Sequence, residues 1–220
     1  MGREQLAGAG AAFTAVSEER GEVEFGGGGE VRVVIDPIDG SLNVRRTIPS
    51  HSLSIAVASE DSMAAVDFGY VYDFGADEEF VATRRGGATL NDAVIDADPP
   101  QSDRPLEVVG VEAAKPALMG PVVEALADDV YRLRAVGSLA ITMAYVAAGR
   151  FDGMLGLRPA RSVDVAASQL ICREAGAAVA FAGRDLADAG LGLDERYPVA
   201  ASCVAENLEI LLAAQGKVKE

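Results

Sequence analysis

Short apolar stretches separated by turns fill the first hundred residues, a pattern that predicts β-strands. Leu53, Ile55 and Val57 alternate with small residues, as is typical of a strand with one buried face. Four consecutive glycines at 26–29 predict a hairpin loop between the two strands that flank them. The strands predicted in this part of the chain are residues 12–16, 31–35, 52–58, 66–72 and 79–83.

The pattern changes after a proline-rich linker at residues 98–105, which disfavours both helix and sheet. Beyond the linker, predicted strands alternate with predicted helices, and this alternation indicates a layered α/β arrangement. We therefore predict a sheet-rich part, residues 1–104, and an α/β part, residues 105–220, that fold as one compact unit. The predicted strands here are 106–111, 130–136, 151–157, 177–181 and 199–202, and the predicted helices are 116–127, 138–148, 162–175 and 205–215.

The composition of the 220 residues is that of a globular protein, with 50% hydrophobic and 24% charged residues. The 19 basic and 34 acidic residues give a net charge of −15, which argues against binding to nucleic acid or to an anionic membrane surface. The sequence has neither a signal peptide pattern nor an apolar run of about 20 residues, so we expect a cytoplasmic protein.

The segment Asp36-Pro-Ile-Asp39-Gly40-Ser41 carries the clearest indication of chemistry. Two aspartates follow an apolar strand directly, and the proline between them fixes the backbone so that both carboxylates can converge. Gly40 permits a tight turn, and a helix that begins at Ser41 would offer free N–H groups to an anion. Paired carboxylates beside such a group suit Mg²⁺ bound next to a phosphate, whereas the alternative is a solvated Asp-Gly turn.

This segment, with Leu42 and Asn43, resembles the Asp-Pro-x-Asp-Gly-Thr/Ser-x-Asn signature of the inositol monophosphatase family, whose superfamily also contains fructose-1,6-bisphosphatases. Three further segments resemble motifs of that family in the expected order. They are Ser17-Glu18-Glu19, Arg134-Ala-Val-Gly137-Ser138, and Ser162-Val-Asp164-Val-Ala-Ala leading to Arg173-Glu-Ala-Gly176. Val163 stands where the family usually has tryptophan, and the resemblance extends from about residue 12 to the end of the chain.

The resemblance implies a layered αβαβα sandwich and a Mg²⁺-dependent phosphomonoesterase that acts on a small sugar or polyol phosphate and is inhibited by lithium. It implies that Glu18, Asp36 and the Ile38 carbonyl hold one Mg²⁺, and that Asp36, Asp39 and Asp164 hold a second. It further implies that Gly40 and Ser41 bind phosphate through backbone N–H groups. The Ser41 hydroxyl would orient the attacking water, and Gly137 and Ser138 would line the substrate site.

Each of these candidates also has a purely structural interpretation. Glu18 could end a strand, Asp164 could favour a helix N-terminus by its charge, and Ser138 could cap the following helix. His51, the only histidine, is more typical of a structural residue than of a general base. Arg158 and Arg161 could bind a second phosphate, as in enzymes that accept fructose bisphosphate, or could be surface residues.

The chain departs from the family pattern at its beginning. Members usually start with two helices that carry a lysine and an aspartate, and here the only acid before Glu18 is Glu4. We therefore expect a fold that lacks the usual N-terminal helix pair, through either truncation or a reduced site. Apolar sheet surface exposed in this way favours a homodimer. The alternative function is a weakly active or inactive homologue that binds metal and phosphate ligands as a regulatory protein.

Overall fold

The computed structural model of the chain describes residues 12–99 and 105–218. The first eight strands form one sheet in the order β2-β1-β3-β4-β5-β6-β7-β8, in which β1 and β3 are parallel and all other neighbours are antiparallel. A helix, α1 (Ser41–Arg45), follows β3, and a 3-10 turn (Met63–Ala65) precedes β5. The strands are β1 Phe13–Ser17, β2 Gly21–Phe25, β3 Arg32–Asp39, β4 Ser52–Ala58, β5 Val66–Asp73, β6 Glu78–Thr83, β7 Gly87–Leu90 and β8 Ala93–Ile95.

The predicted position of the first hairpin was wrong. The hairpin joins β1 to β2 through the turn at residues 18–20, and the four glycines at 26–29 connect β2 to β3, which are not neighbours in the sheet. The strand β2 escaped prediction because two glutamates interrupt its short apolar pattern. The result of this topology is that β1 lies beside β3, and Ser17 at its end pairs with Ile35.

The second half of the chain forms a five-stranded sheet in the order β10-β9-β11-β15-β13, with β10, β9 and β11 parallel. A separate two-stranded pair, β12 with β14, lies outside this sheet. The strands are β9 Leu106–Glu112, β10 Val130–Arg134, β11 Gly153–Gly156, β12 Ala160–Arg161, β13 Ala178–Phe181, β14 Arg196–Tyr197 and β15 Val199–Ser202. The helices are α2 Pro116–Leu126, α3 Leu139–Ala147, α4 Ser162–Glu174 and α5 Ala205–Gln215.

The described residues stack in four layers: sheet, helices, sheet, helices. Helix α4 packs on the eight-stranded sheet, α3 packs on both α4 and the second sheet, and α2 and α5 cover the far side of the second sheet. One apolar core lies between the two sheets and another lies under the outer helices. This mixed α/β fold confirms the predicted fold class, whereas the expected absence of an N-terminal helix pair concerns residues 1–11, outside the described residues. The division of the chain at residue 104 stays a prediction.

The two faces of the eight-stranded sheet differ in the size of their side chains. In β4 the small residues Ser52, Ser54, Ala56 and Ala58 are buried, and the larger residues between them are only half-buried. Small side chains allow α4 to approach closely, so closely that a Cβ on Gly69 would lie 2.7 Å from the carbonyl oxygen of a residue in α4. The opposite face therefore presents larger apolar side chains that stay partly accessible.

No helix in the described parts of the chain combines the length and the apolar character needed to cross a membrane.

Candidate functional site

A bulge in β3 brings the two aspartates of the motif to the same side of the sheet. Asp36 pairs with Ser54 and Asp39 pairs with Ser52, so that one extra residue is accommodated on β3 between the two pairs. Residues three apart on a regular strand point to opposite faces. The extra residue instead directs the side chains of Asp36 and Asp39 to the same face. Pro37, which has no N–H to donate to a ladder, lies within this irregular segment.

Asp164 completes a cluster of three carboxylates, hereafter the carboxylate cluster (Asp36, Asp39 and Asp164). One oxygen from each lies within 4.8 Å of the others. Asp164 comes from the first turn of α4, which places it against the end of β3. Asp36 is only 2% exposed; its Oδ1 accepts the N–H of Ile38 at 3.0 Å, and its buried Oδ2 has no hydrogen-bond partner.

The start of α3 fixes the position of Asp39. Its Oδ2 accepts hydrogen bonds from the Ser138 hydroxyl at 2.7 Å and from the Ala140 N–H at 2.8 Å. Ser138 is fully buried, and its hydroxyl also lies 3.1 Å from that of Ser52 and caps α3 by accepting the Ile141 N–H. Ser138 thus links the second half of the chain to the carboxylate that ends β3.

Crowding and burial disfavour negative charge in the carboxylate cluster. Burial raises the pKa of Asp36 to about 7, and the neighbouring Asp39 carboxylate adds to the rise. Burial and the Asp164 carboxylate raise the pKa of Asp39 to about 7 despite its two hydrogen bonds. Carboxylates in such a place are stabilised by a cation that neutralises them.

Arg161 is the cationic side chain that the structure places against this cluster. One guanidinium nitrogen, Nη1, contacts Glu18, and Nη2 lies 2.9 Å from Asp164 Oδ1 and 3.9 Å from Asp36 Oδ2. Burial lowers the pKa of Arg161, but the hydrogen bonds to Glu18 and Asp164 raise it more strongly, so the side chain stays charged.

Two glycines, Gly40 and Gly137, lie close together at the turn that follows β3. Gly40 has φ +92°, and a Cβ there would lie 2.9 Å from the Ser50 carbonyl oxygen and 3.1 Å from that of Gly137. Gly137 has φ +85°, and a Cβ there would lie 2.7 Å from Asn43 Nδ2. Asn43 donates to the Ser50 and Val136 carbonyls at 2.7 and 2.9 Å, and so ties α1 to the loop before α3.

The other predicted site residues are not members of the cluster. Glu18 has a half-exposed side chain held by Arg161, and its carboxylate is not one of the three in the cluster. Ser41 is exposed as the first residue of α1, and Ile38 is exposed beside it. Arg158 is exposed between β11 and β12, and the ring of His51 stacks on that of Phe74.

Sequence reasoning missed Glu112, which lies at the end of β9. It is 6% exposed, and its carboxylate accepts the N–H groups of Val136 and Gly137 and the hydroxyl of Thr142 at 2.6 Å. Burial raises the pKa of Glu112. An acid directly after an apolar strand was the available signal, because the carboxyl ends of parallel strands often carry functional polar groups.

The residues present fit a divalent cation of the Mg²⁺ type. All three cluster members offer carboxylate oxygens, which Mg²⁺ prefers as ligands, and Asp36 directs a buried oxygen without a partner into the cluster. The pKa values of two members are raised even with Arg161 beside the cluster, so further positive charge would stabilise the ionised carboxylates. The fold and the site together define a class of layered α/β proteins with a carboxylate cluster beside a glycine turn.

Comparison with known proteins identifies the family. The chain matches the inositol monophosphatase family over residues 4–220. It is 33% identical over 184 residues to a Methanothermobacter thermautotrophicus protein named fructose-1,6-bisphosphatase/inositol-1-monophosphatase, over 79% of this chain and 65% of the relative. It is 36% identical over 175 residues to the Haemophilus influenzae Nus factor SuhB, over 76% of this chain and 62% of the relative.

A solved structure supports the same assignment. The chain superposes on a Pyrococcus horikoshii protein, described as having similarities to inositol-1 monophosphatase, with a TM-score of 0.79 and 25% identity, covering 99% of this chain and 80% of that one. The chain therefore belongs to the inositol monophosphatase family, within a superfamily of phosphatases. It spans slightly less than two thirds of the length of the two relatives named above.

Proposed function

We propose that this protein is a Mg²⁺-dependent phosphomonoesterase that hydrolyses a small sugar or polyol phosphate, such as inositol monophosphate or fructose 1,6-bisphosphate. The observation that carries the proposal is the carboxylate cluster, whose member Asp36 has a buried Oδ2 that accepts no hydrogen bond. Family membership and the name of the Methanothermobacter relative support the same reaction class.

In this proposal Asp36, Asp39 and Asp164 hold Mg²⁺, and the family resemblance offers Glu18 and the Ile38 carbonyl, with Asp36, for a second ion. Bound Mg²⁺ supplies a water of lowered pKa and a positive charge for the leaving oxygen. The chain's own contribution is to orient these ligands: the bulge in β3 directs two of them, and the start of α3 holds one.

The substrate phosphate would bind at the turn where β3 leads into α1. The first N–H groups of a helix have no partner within that helix, so those of Gly40 and Ser41 suit phosphate oxygens. The Ser41 hydroxyl orients the attacking water, and its exposed place at the start of α1 makes it accessible to substrate. Gly137 and Ser138 would shape the neighbouring wall through their contacts with Asn43 and Asp39.

Two arginines, Arg158 and Arg161, bear on the choice of substrate. Arg158 is exposed and accessible to a second phosphate, which would favour a bisphosphate substrate. Arg161 is less suited to this part because the acids of the site already hold its guanidinium.

The test is release of inorganic phosphate from inositol monophosphate and from fructose 1,6-bisphosphate, with and without Mg²⁺. We expect turnover that requires Mg²⁺, is inhibited by lithium and falls at least about a hundredfold in Asp36→Asn, since one of the three carboxylates that would hold the ion is lost. Asp92→Asn, an exposed acid in the β7–β8 turn, is the matched control and should retain full activity. Metal-independent turnover, or full activity in Asp36→Asn, would refute the proposal.

A second candidate function is a regulatory protein that binds metal and phosphate ligands with little turnover. Two observations favour it: a relative carries the name Nus factor, and the carboxylates of this chain are already neutralised in part by Arg161. Calorimetric binding of inositol monophosphate in the presence of Mg²⁺, without phosphate release, would distinguish this function from catalysis.

A further inference from the structure

The positively charged side chain of Arg161 lies among three acids of the site. Its guanidinium contacts Glu18 on one side and Asp164 on the other, and it lies 3.9 Å from the buried Oδ2 of Asp36. These acids include two of the three members of the carboxylate cluster, and Glu18 is the acid that the family resemblance pairs with Asp36. The side chain is 29% exposed, so protein surrounds most of it.

The backbone around Arg161 keeps the side chain in this place. Arg161 is the N-cap of α4, and its N–H donates to Asp164 Oδ2 at 3.1 Å while its Nε donates to the same oxygen at 3.3 Å. Its strand β12 pairs with β14, where Arg196 lies opposite. These hydrogen bonds hold the backbone N–H and the Nε of Arg161 beside Asp164.

A guanidinium and a divalent ion compete for the same carboxylate oxygens. Both neutralise the same charges, so a carboxylate oxygen that the guanidinium holds is less available to a metal ion. Glu18 turned toward Arg161 cannot at the same time direct that oxygen at a metal ion beside Asp36.

We propose that Arg161 is the built-in cation of the Glu18 side of the site: it takes the place of the ion that Glu18 and Asp36 would share. It leaves one divalent ion to the cluster, in which Asp36 Oδ2 accepts no hydrogen bond and Asp164 serves both cations. This inference rests on the proposed function, because it presumes that the cluster binds a divalent ion. On this inference, Arg161 determines how many metal ions the chain binds and does not bind a second phosphate.

The experiment counts Mn²⁺ ions bound per chain, by titration calorimetry and by the paramagnetic signal of free Mn²⁺, so it does not depend on activity. Mn²⁺ serves as the probe because it takes the same oxygen ligands as Mg²⁺. We expect one ion per wild-type chain and a gain of one further ion in Arg161→Gln. Arg196→Gln is the matched control: its guanidinium donates to backbone carbonyls, and it should bind the same number of ions as wild type.

Glu18→Gln provides a second and independent measurement, which also serves if Arg161→Gln does not fold. Because Glu18 holds Arg161 in the wild type, Glu18→Gln alone should leave the number of Mn²⁺ ions unchanged. In the Arg161→Gln background the same change should remove the extra ion.

Loss of an ion in Glu18→Gln alone, or no gain in Arg161→Gln, would overturn the inference while the metal site of the proposed function stands. No Mn²⁺ bound by wild type or any variant would overturn both. Where wild type does bind Mn²⁺, Asp36→Asn tests whether the cluster is the binding site, because the change should then abolish binding.

Discussion

Gly137 shows how single residues set the geometry of this site. Its backbone is left-handed, and the space that a Cβ would need is filled by the amide of Asn43. That amide ties α1 to the loop before α3 through its two hydrogen bonds, so a change at Gly137 affects both sides of the site. The sequence motif contains both residues, but only the structure shows that they touch.

We predict that Gly137→Ala destabilises the protein more than Gly183→Ala does. Both glycines have positive φ, +85° and +80°, so both changes incur the left-handed penalty of about 1 to 2 kcal/mol for a residue with a Cβ. Only at Gly137 would the Cβ clash, and displacement of Asn43 should cost at least about 1 kcal/mol more through lost hydrogen bonds. Urea unfolding of the two variants measures the difference, and equal losses would contradict the interlocked arrangement.

Among the elements, β9 and α3 are joined by a buried acid. The carboxylate of Glu112 at the end of β9 accepts the N–H groups that precede α3 and the hydroxyl of Thr142 within it. This joint supports Ser138, which in turn holds Asp39. An ionisable group so placed links the stability of the site to pH.

We predict that Glu112 makes the protein less stable as pH rises. Burial raises the pKa of Glu112 above its ordinary value of 4.5, so the folded state retains a proton that the unfolded state has lost. The stability that this proton contributes is fully present below pH 4.5 and disappears as pH rises through the folded pKa. Glu112→Gln should remove this part of the pH dependence.

The measurement is the free energy of unfolding in urea from pH 4 upward, compared between wild type and Glu112→Gln. The comparison cancels the contributions of buried acids that Glu112 does not influence. The Glu112 carboxylate also raises the pKa of Asp39, so its removal changes the Asp39 contribution in the same direction. Wild type should lose stability relative to Glu112→Gln as pH rises through this window. A relative gain, or a constant difference, would show that the hydrogen bonds to Glu112 outweigh its burial.

The elements themselves were predictable where their ends carry clear signals. The helices α2 to α5 match the predicted ranges closely, because Pro116 marks the start of α2 and Gly149 and Gly176 follow the ends of α3 and α4. The strands β2, β7, β8, β12 and β14 were missed because they are short, charged or both. The bulge in β3 could not be predicted from a local sequence pattern, because it depends on how β3 pairs with β4.

The site was predictable only in part, because a sequence motif identifies residues but does not show contacts between distant elements. The motif from Asp36 to Ser41 and the distant Asp164 were found from the sequence, and the structure brings three of these acids together. Arg161 was predicted only as a possible partner of a second phosphate, and Glu112 was not predicted at all. Their contacts with the acids of the site and with the loop before α3 join elements far apart in the chain, which a sequence motif does not show. The metal and substrate roles of the individual residues stay predictions.

Over the whole molecule, the eight-stranded sheet has one face that its own helices do not bury completely. Larger apolar side chains of three neighbouring strands share this face and are half-buried: Val33, Ile35, Leu53, Ile55, Val57, Phe68, Tyr70 and Tyr72. Contiguous apolar surface of this kind is typical of an interface with another protein.

We predict that a second copy of this chain covers that face, so that the protein is a homodimer. Ile55→Glu, at the centre of the face, should give monomers because an unpaired carboxylate in a buried interface is strongly unfavourable. Val94→Glu, at a side chain that is 77% exposed on β8, is the matched control and should stay dimeric. Light scattering after size-exclusion chromatography measures the mass, and a monomeric wild type would contradict the prediction.

The most direct test of the whole account is a crystal structure of the protein with Mn²⁺, in which anomalous scattering locates the metal independently of any assumption about its ligands. The account predicts a peak within coordination distance of oxygens from Asp36, Asp39 and Asp164, at about 2.2 Å from each. A structure with ordered carboxylates and no anomalous peak among them, at saturating Mn²⁺, would contradict the account.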